Sequence, residues 1–279
     1  MGTTSSESPV SRCTADGRGR ADAPKAISTA TPGPRAARVR CVTADPLLLT
    51  GDLDDATARL LRTAAALDDA DVAAPSLLPG WTRAHVLTHL ARNADGFVNL
   101  LTSARTGERI PMYASTAARA ADIATGAART PAALLDDLRR SAERFAEAVA
   151  AMPVQAWAAT VETRRGPWPA AMLVWGRLRE VEVHHVDLAA GYTPADWPEA
   201  FAQRLLHEVT AGLAGRDDAP ALVLRFDGSS HEVVVGDPDG APTVTGPAHG
   251  LAAWLTGRGG ADTLAVTPDG PLPTPPEWM

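Results

Sequence analysis

Cysteine is nearly absent from this chain, and the little there is sits at one end. The 279 residues hold two, Cys13 and Cys41, so residues 42–279 contain no thiol. That excludes a disulfide framework, a cysteine nucleophile and a thiolate metal site from the part that patterns as folded. Any thiol chemistry must use a thiol brought in from outside. A basic excess is missing too: 26 Lys and Arg stand against 33 Asp and Glu, a net charge of −7. Binding to nucleic acid or to an anionic membrane surface is therefore not expected, and an anionic ligand needs locally placed arginines. No apolar run approaches the length of a membrane-spanning helix, and the N-terminus lacks the apolar core of a secretory signal. A cytoplasmic placement is the expectation.

Organisation comes next. Residues 1–43 are rich in Ser, Thr, Ala, Pro, Gly and Arg without an apolar period, and read as a disordered extension or as sequence upstream of the true start. From about residue 45 the apolar spacing turns helical. Leu53, Ala56, Leu60, Leu61, Ala64 and Leu67 predict a helix over 52–67. Pro79-Gly80 breaks the chain, and Thr82 caps a second helix reaching about residue 102. A looser stretch over 103–130 includes a short helix at 115–124. Thr130-Pro131 opens a helix that runs to Met152-Pro153, and another covers about 170–190 and stops at Gly191.

After Pro198 the pattern changes. A helix at 199–213 precedes a strand at 221–226, a turn at Asp227-Gly228 and a strand from His231 to Gly236. A helix at 247–256 and a last strand at 263–267 follow. The fold class is thus α plus α+β. A helical bundle spans 45–192, a small α+β domain spans 199–268, and a proline-rich tail spans 269–279.

The densest chemistry lies in Arg179-Glu180-Val181-Glu182-Val183-His184-His185-Val186-Asp187-Leu188. Glu180 and His184, at i and i+4, share one helical face, and Asp187 returns to nearly the same face. Trp175, Leu178, Val181, Val183, Val186 and Leu188 surround it with apolar surface. Charged groups so placed need partners, and either a divalent metal or a pairing with Arg177 or Arg179 supplies one. A metal needs a further ligand, and His85 and His89 offer a second i,i+4 pair on one face with Arg92 and Gly96. Taken alone, that stripe reads as a solvated helix face. Two such segments on separate helices change the reading, because bundle interiors build metal sites from Glu and His on facing helices. A mixed nitrogen and oxygen set with an open position suits Zn2+ held for catalysis rather than for structure.

These motifs carry a family resemblance. Leu77-Leu78-Pro79-Gly80-Trp81-Thr82 running into His89-Leu90-Ala91, then Arg179-Glu180 leading to His184-His185-Val186-Asp187-Leu188, resembles the mycothiol-dependent maleylpyruvate isomerase family. The likeness covers about residues 45–260 and implies a DinB-like four-helix bundle followed by the small C-terminal α+β domain. It implies His89, Glu180 and His184 as metal ligands, with His85 and His185 as neighbours, and Asp187 as a group orienting a ligand or water. Arg119, in Thr116-Ala117-Ala118-Arg119, and Arg258, in Leu255-Thr256-Gly257-Arg258, match arginines for substrate binding or catalysis.

The implied cofactors are a divalent metal, Zn preferred, and mycothiol as the low-molecular-weight thiol. The implied reaction is cis-trans isomerisation of the small dicarboxylate maleylpyruvate to fumarylpyruvate, a step of gentisate-type aromatic catabolism, by reversible thiol addition. A chain without a thiol over 42–279 agrees with a borrowed one. The metal has two uses, holding the thiolate or steadying the enolate oxygen, and the sequence selects neither. Two other functions share the same residues: a mycothiol S-transferase acting on another electrophile, and a non-catalytic metal- or thiol-sensing bundle.

Overall fold

The computed structural model describes residues 45–227 and 232–278. The readings of 1–43 as a disordered extension, of Cys13 and Cys41, and of a turn and strand start at Gly228 and His231 lie outside the described residues.

The first elements are helices set by their caps. Helix α1 (Thr50–Ala65) is followed by the short α2 (Asp69–Ala73), which the side chains of Asp68 and Asp71 cap reciprocally. Helix α3 (Arg83–Thr106) starts at Thr82, whose hydroxyl accepts from the His85 backbone N–H, and ends where Gly107 takes φ +77°. Helix α4 (Thr116–Gly126) is capped by Ser115, and α5 (Pro131–Ala150) by Thr130 with proline in its first turn. Helix α6 (Leu173–Asp187) enters through a single 3-10 turn at Ala170–Met172. Packing closes a ring: α3 lies on α5 and α6, and α1 lies on α5 and α6, while α4 rests on α3. Leu60, Leu87, Leu90, Leu134 and Leu138 fill the space between, each essentially without solvent contact. Burying one such side chain contributes roughly 1.5–3 kcal/mol.

Helix α6 ends earlier than its sequence suggests. The pattern predicts a stop at Gly191, but the last helical residue is Asp187. Arg83, from α3, donates to the carbonyls of Leu188 (2.7 Å) and Ala189 (2.8 Å), and Ala189 turns to φ +51°. A guanidinium from another helix thus satisfies the orphan carbonyls, and the turn that glycine would favour falls on alanine.

A hairpin missed by the apolar pattern sits between α5 and α6. Strands β1 (Thr160–Thr163) and β2 (Gly166–Pro169) pair antiparallel, with Val161 opposite Trp168 and Thr163 opposite Gly166. Helix α7 (Glu199–Leu213) then packs against α8 (Ala248–Leu255). Strands β3 (Leu222–Phe226), β4 (Glu232–Val235), β5 (Thr243–Gly246) and β6 (Ala265–Thr267) form a sheet ordered β4-β3-β5-β6. Only the β3–β5 pair is parallel. Leu222, Leu224, Val235 and Val244 point to the buried face. Strand β5 also went unseen in the sequence, because Thr-Val-Thr-Gly offers one large apolar residue and no run. No helix among the described residues is long and apolar enough to cross a membrane.

Candidate metal centre

Helices α3 and α6 face one another, and the polar residues between them meet at one point. His89 comes from α3; Glu180, His184 and Asp187 come from α6. His89 is 5% exposed, so its stripe is not the solvated face that it suggests in isolation. Its other members explain why. His85 turns back to bond Thr82 Oγ1 at 2.8 Å; Arg92 reaches Asp137 of α5 at 2.6 Å; and Gly96 is covered by Met112 and Tyr113. The alternative pairing with arginine forms only in part, as a long ion pair between Arg179 and Glu180. Arg177 donates to the Leu90 carbonyl and to Asn93 Oδ1, both at 2.9 Å, and Arg179 pairs with Glu208 while staying 3.9 Å from Glu180.

One ligand atom from each of His89, Glu180 and His184 lies within 4.8 Å of the other two. The individual separations are tighter. His89 Nε2 is 3.1 Å from His184 Nε2 and 3.2 Å from Glu180 Oε2, and His184 Nε2 is 3.5 Å from Glu180 Oε2. A tetrahedral ion with bonds of about 2.0–2.1 Å to such atoms spaces its ligands about 3.3 Å apart. The three edges fall around that value. Protons serve the triangle poorly, since a hydrogen on one ring nitrogen faces a second ring nitrogen and a carboxylate at once. A divalent cation takes all three lone pairs together, so the donor set fits one.

Neighbouring groups fix the orientation. His184 Nδ1–H donates to Asp187 Oδ2 at 2.7 Å, which turns the Nε2 lone pair toward the centre. Asp187 is fully buried and is in turn gripped by Arg258, Nε to Oδ1 at 3.2 Å and Nη2 to Oδ2 at 3.0 Å. Arg258 arrives there because Gly257, at φ +74°, reverses the chain after α8. On the other side Arg119 of α4 lies with Nη2 3.0 Å from His89 Nδ1.

The charges respond accordingly. Burial opposes ionisation of Glu180, yet hydrogen bonds from His184 and His89 outweigh it and hold the carboxyl well below its usual range. For His89, burial dominates and drives the imidazole down to about 4. His184 is shifted up, because Asp187 and Glu180 overcome the cost of burial, and Asp187 is shifted down by His184 and Arg258 against the same cost.

All six residues singled out in the sequence, His89, Arg119, Glu180, His184, Asp187 and Arg258, therefore meet in one place. Glu182 and His185 do not. They sit across α6, Glu182 bonded to Arg59 (2.7 Å) and Tyr192 (2.5 Å), His185 bonded to Thr63 (2.7 Å) and stacked on Tyr192. A cavity of about 410 Å3 opens in front of the triangle. Sequence reasoning missed several of its walls: Tyr113, Arg164, Arg165 and Trp168. The signal for the hairpin was Thr-Val-Glu-Thr-Arg-Arg-Gly, β-branched residues before a glycine turn, masked by the two prolines of β2.

Comparison with known proteins gives the family. The family model described as the mycothiol maleylpyruvate isomerase N-terminal domain matches residues 53–189, and the corresponding C-terminal domain matches 196–277. No curated protein matches. A crystal structure of mycothiol-dependent maleylpyruvate isomerase superposes with a TM-score of 0.76 at 34% identity, covering 85% of this chain and 97% of the other. A histidine-to-alanine mutant of such an isomerase superposes with a TM-score of 0.75 at 33% identity and the same coverage. Matched in both segments, and at this identity along nearly the whole length of a solved structure, the chain belongs to the mycothiol-dependent maleylpyruvate isomerase family.

Proposed function

We propose that this protein isomerises maleylpyruvate to fumarylpyruvate, with mycothiol as the nucleophile and a divalent ion, Zn2+ by preference, held by His89, Glu180 and His184. The triangle of ligand atoms with edges of 3.1, 3.2 and 3.5 Å carries the proposal. Family membership supports the thiol and the substrate. In this reading α1, α3, α5 and α6 are the four helices of a DinB-like bundle, and the reaction runs in the cytoplasm, where small thiols are kept reduced.

The chemistry needs a double bond to become single for long enough to rotate. The thiolate forms a C–S bond to one alkene carbon, and the π pair moves into the conjugated carbonyl as an enolate. After rotation the pair returns and expels the thiolate, so no atom or electron is left over. When bound, the ion supplies positive charge that favours the thiolate or the enolate. The residues do the rest. Asp187 fixes the His184 tautomer, and Arg258 keeps Asp187 ionised and in place. A His89 that gives its Nε2 lone pair to a cation carries its proton on Nδ1, which ends the contact from Arg119 and leaves that guanidinium for an anion. Trp81 and Phe97 line the cavity with apolar surface and limit water.

The test is conversion of maleylpyruvate by Zn-loaded protein with and without mycothiol. Turnover only when both are present is the expected result. Absence of turnover with both present overturns the assignment.

A further inference from the structure

Five arginines line the cavity, and three of them are engaged. Arg119 rests on His89, Arg179 is paired with Glu208, and Arg258 is held by Asp187. Arg164 and Arg165, side by side at the tip of the β1–β2 hairpin, line the same cavity. Among the described residues, neither guanidinium makes a hydrogen bond or an ion pair with a protein group.

The tip is built to hold its position. Thr163 Oγ1 donates to the Gly166 carbonyl at 2.8 Å and accepts from the Arg165 backbone N–H at 3.1 Å, with Gly166 at φ +103°. Below the tip the hairpin is pinned to the bundle. Val161 is buried in the core, and Trp168 packs so closely on Gly176 of α6 that a Cβ there would come 2.8 Å from its ring. Trp168 also carries the Arg179 guanidinium over its face at 5.5 Å. Arg165 consequently feels Arg179 and Arg164 as like charges and Glu180 and Glu208 as opposite ones; partial burial of its head group first, then Arg179, press its pKa below the usual arginine range against the pull of the two carboxylates. Neighbouring guanidiniums without a bonded carboxylate repel one another, and an anion between them removes the repulsion.

We propose that the β1–β2 hairpin tip is a carboxylate-binding subsite, in which Arg164 and Arg165 hold the substrate carboxylate that points away from the metal centre. This rests on the dicarboxylate reading above and extends it. Maleylpyruvate carries two carboxylates; Arg119 at the metal end is left for one of them, and the other needs a second cation. A pair of guanidiniums on the cavity wall binds the remote end and discriminates dicarboxylates from monocarboxylates.

The experiment uses Arg164→Gln and Arg165→Gln in the full chain, both at exposed turn positions whose backbone bonds they leave intact. Metal content and circular dichroism serve as controls. The KM for maleylpyruvate rises by about tenfold to a hundredfold in each, as expected for loss of a charged hydrogen bond of about 1.5–3 kcal/mol. The kcat stays within a few-fold, the KM for mycothiol is unchanged, and Arg165→Lys recovers part of the loss. An unchanged substrate KM, or a rise confined to mycothiol, overturns the subsite.

A second arm needs neither turnover nor thiol: calorimetric binding of maleate and of its monomethyl ester to the Zn-loaded protein. Tight binding of maleate, weaker binding of the ester and loss of that difference in Arg165→Gln support the subsite. Equal binding by wild type and variant, or no maleate binding by wild type, overturns it. If maleylpyruvate is not converted but maleate still discriminates, the assigned reaction fails while the subsite stands.

Discussion

His184 is held through both ring nitrogens, by Asp187 on one side and by the facing triangle on the other. That chain of contacts continues to Arg258, which makes Arg258 a positioning residue as well as a cation at the cavity. Arg258→Ala leaves Asp187 charged, buried and without its guanidinium. Removing one partner of a buried pair costs about 3–5 kcal/mol, so a large fall in melting temperature is expected, together with weaker zinc binding, since His184 loses its support. Isothermal titration with Zn2+ and thermal unfolding check both; unchanged values in both would separate Arg258 from the ligand set. The six site residues were legible because each sits in a motif with helical spacing or a local sequence match. Arg164 and Arg165 were not, because their role depends on which cavity a turn faces, and no periodicity records that.

At the scale of elements, the longer helices and the strands β3, β4 and β6 were legible, and β1, β2 and β5 were not. Thr82, Ser115 and Thr130 mark helix starts by side-chain chemistry that reads directly from sequence. By contrast, β1, β2 and β5 are four residues each: β1 and β2 pair only with each other across a two-residue turn and carry little apolar pattern, and β5 gains its place from β3 and β6. The end of α6 depends on Arg83, about a hundred residues away, which no local pattern shows. Helix α4 supplies the clearest test at this scale. Gly126 lets α4 settle on α3, and a Cβ there would run into Thr88, the neighbour of His89, and to within 2.7 Å of the Arg129 guanidinium. Gly126→Val forces α4 away and Arg119 with it. Overpacking of this kind costs about 1–3 kcal/mol. Metal content is expected to hold while kcat/KM drops at least tenfold; retention of full activity would show that α4 does not set the position of Arg119.

For the molecule as a whole, the centre draws on both matched segments, since Asp187 precedes the second and Arg258 lies within it. Folding stability should show this polar interior through pH. His185, stacked on Tyr192 and bonded to Thr63, is driven down to about 4 by burial and by Arg59. An unfolded chain takes up that proton near pH 6.5 and the folded one does not, so stability of the metal-free protein falls as pH drops from 6.5 toward 4. His185 alone accounts for up to about 3 kcal/mol of this. Urea unfolding across that range checks it, with His185→Gln flattening the slope; an equal slope in the variant would place the effect elsewhere.

The centre itself is tested most directly by metal content. Purified protein loaded with Zn2+ and desalted is expected to retain one ion per chain by inductively coupled plasma mass spectrometry, and His89→Ala, Glu180→Ala and His184→Ala are each expected to lose it. Full retention in any one of the three, or no ion in the unmodified protein, would contradict the three-ligand centre on which the proposed chemistry depends.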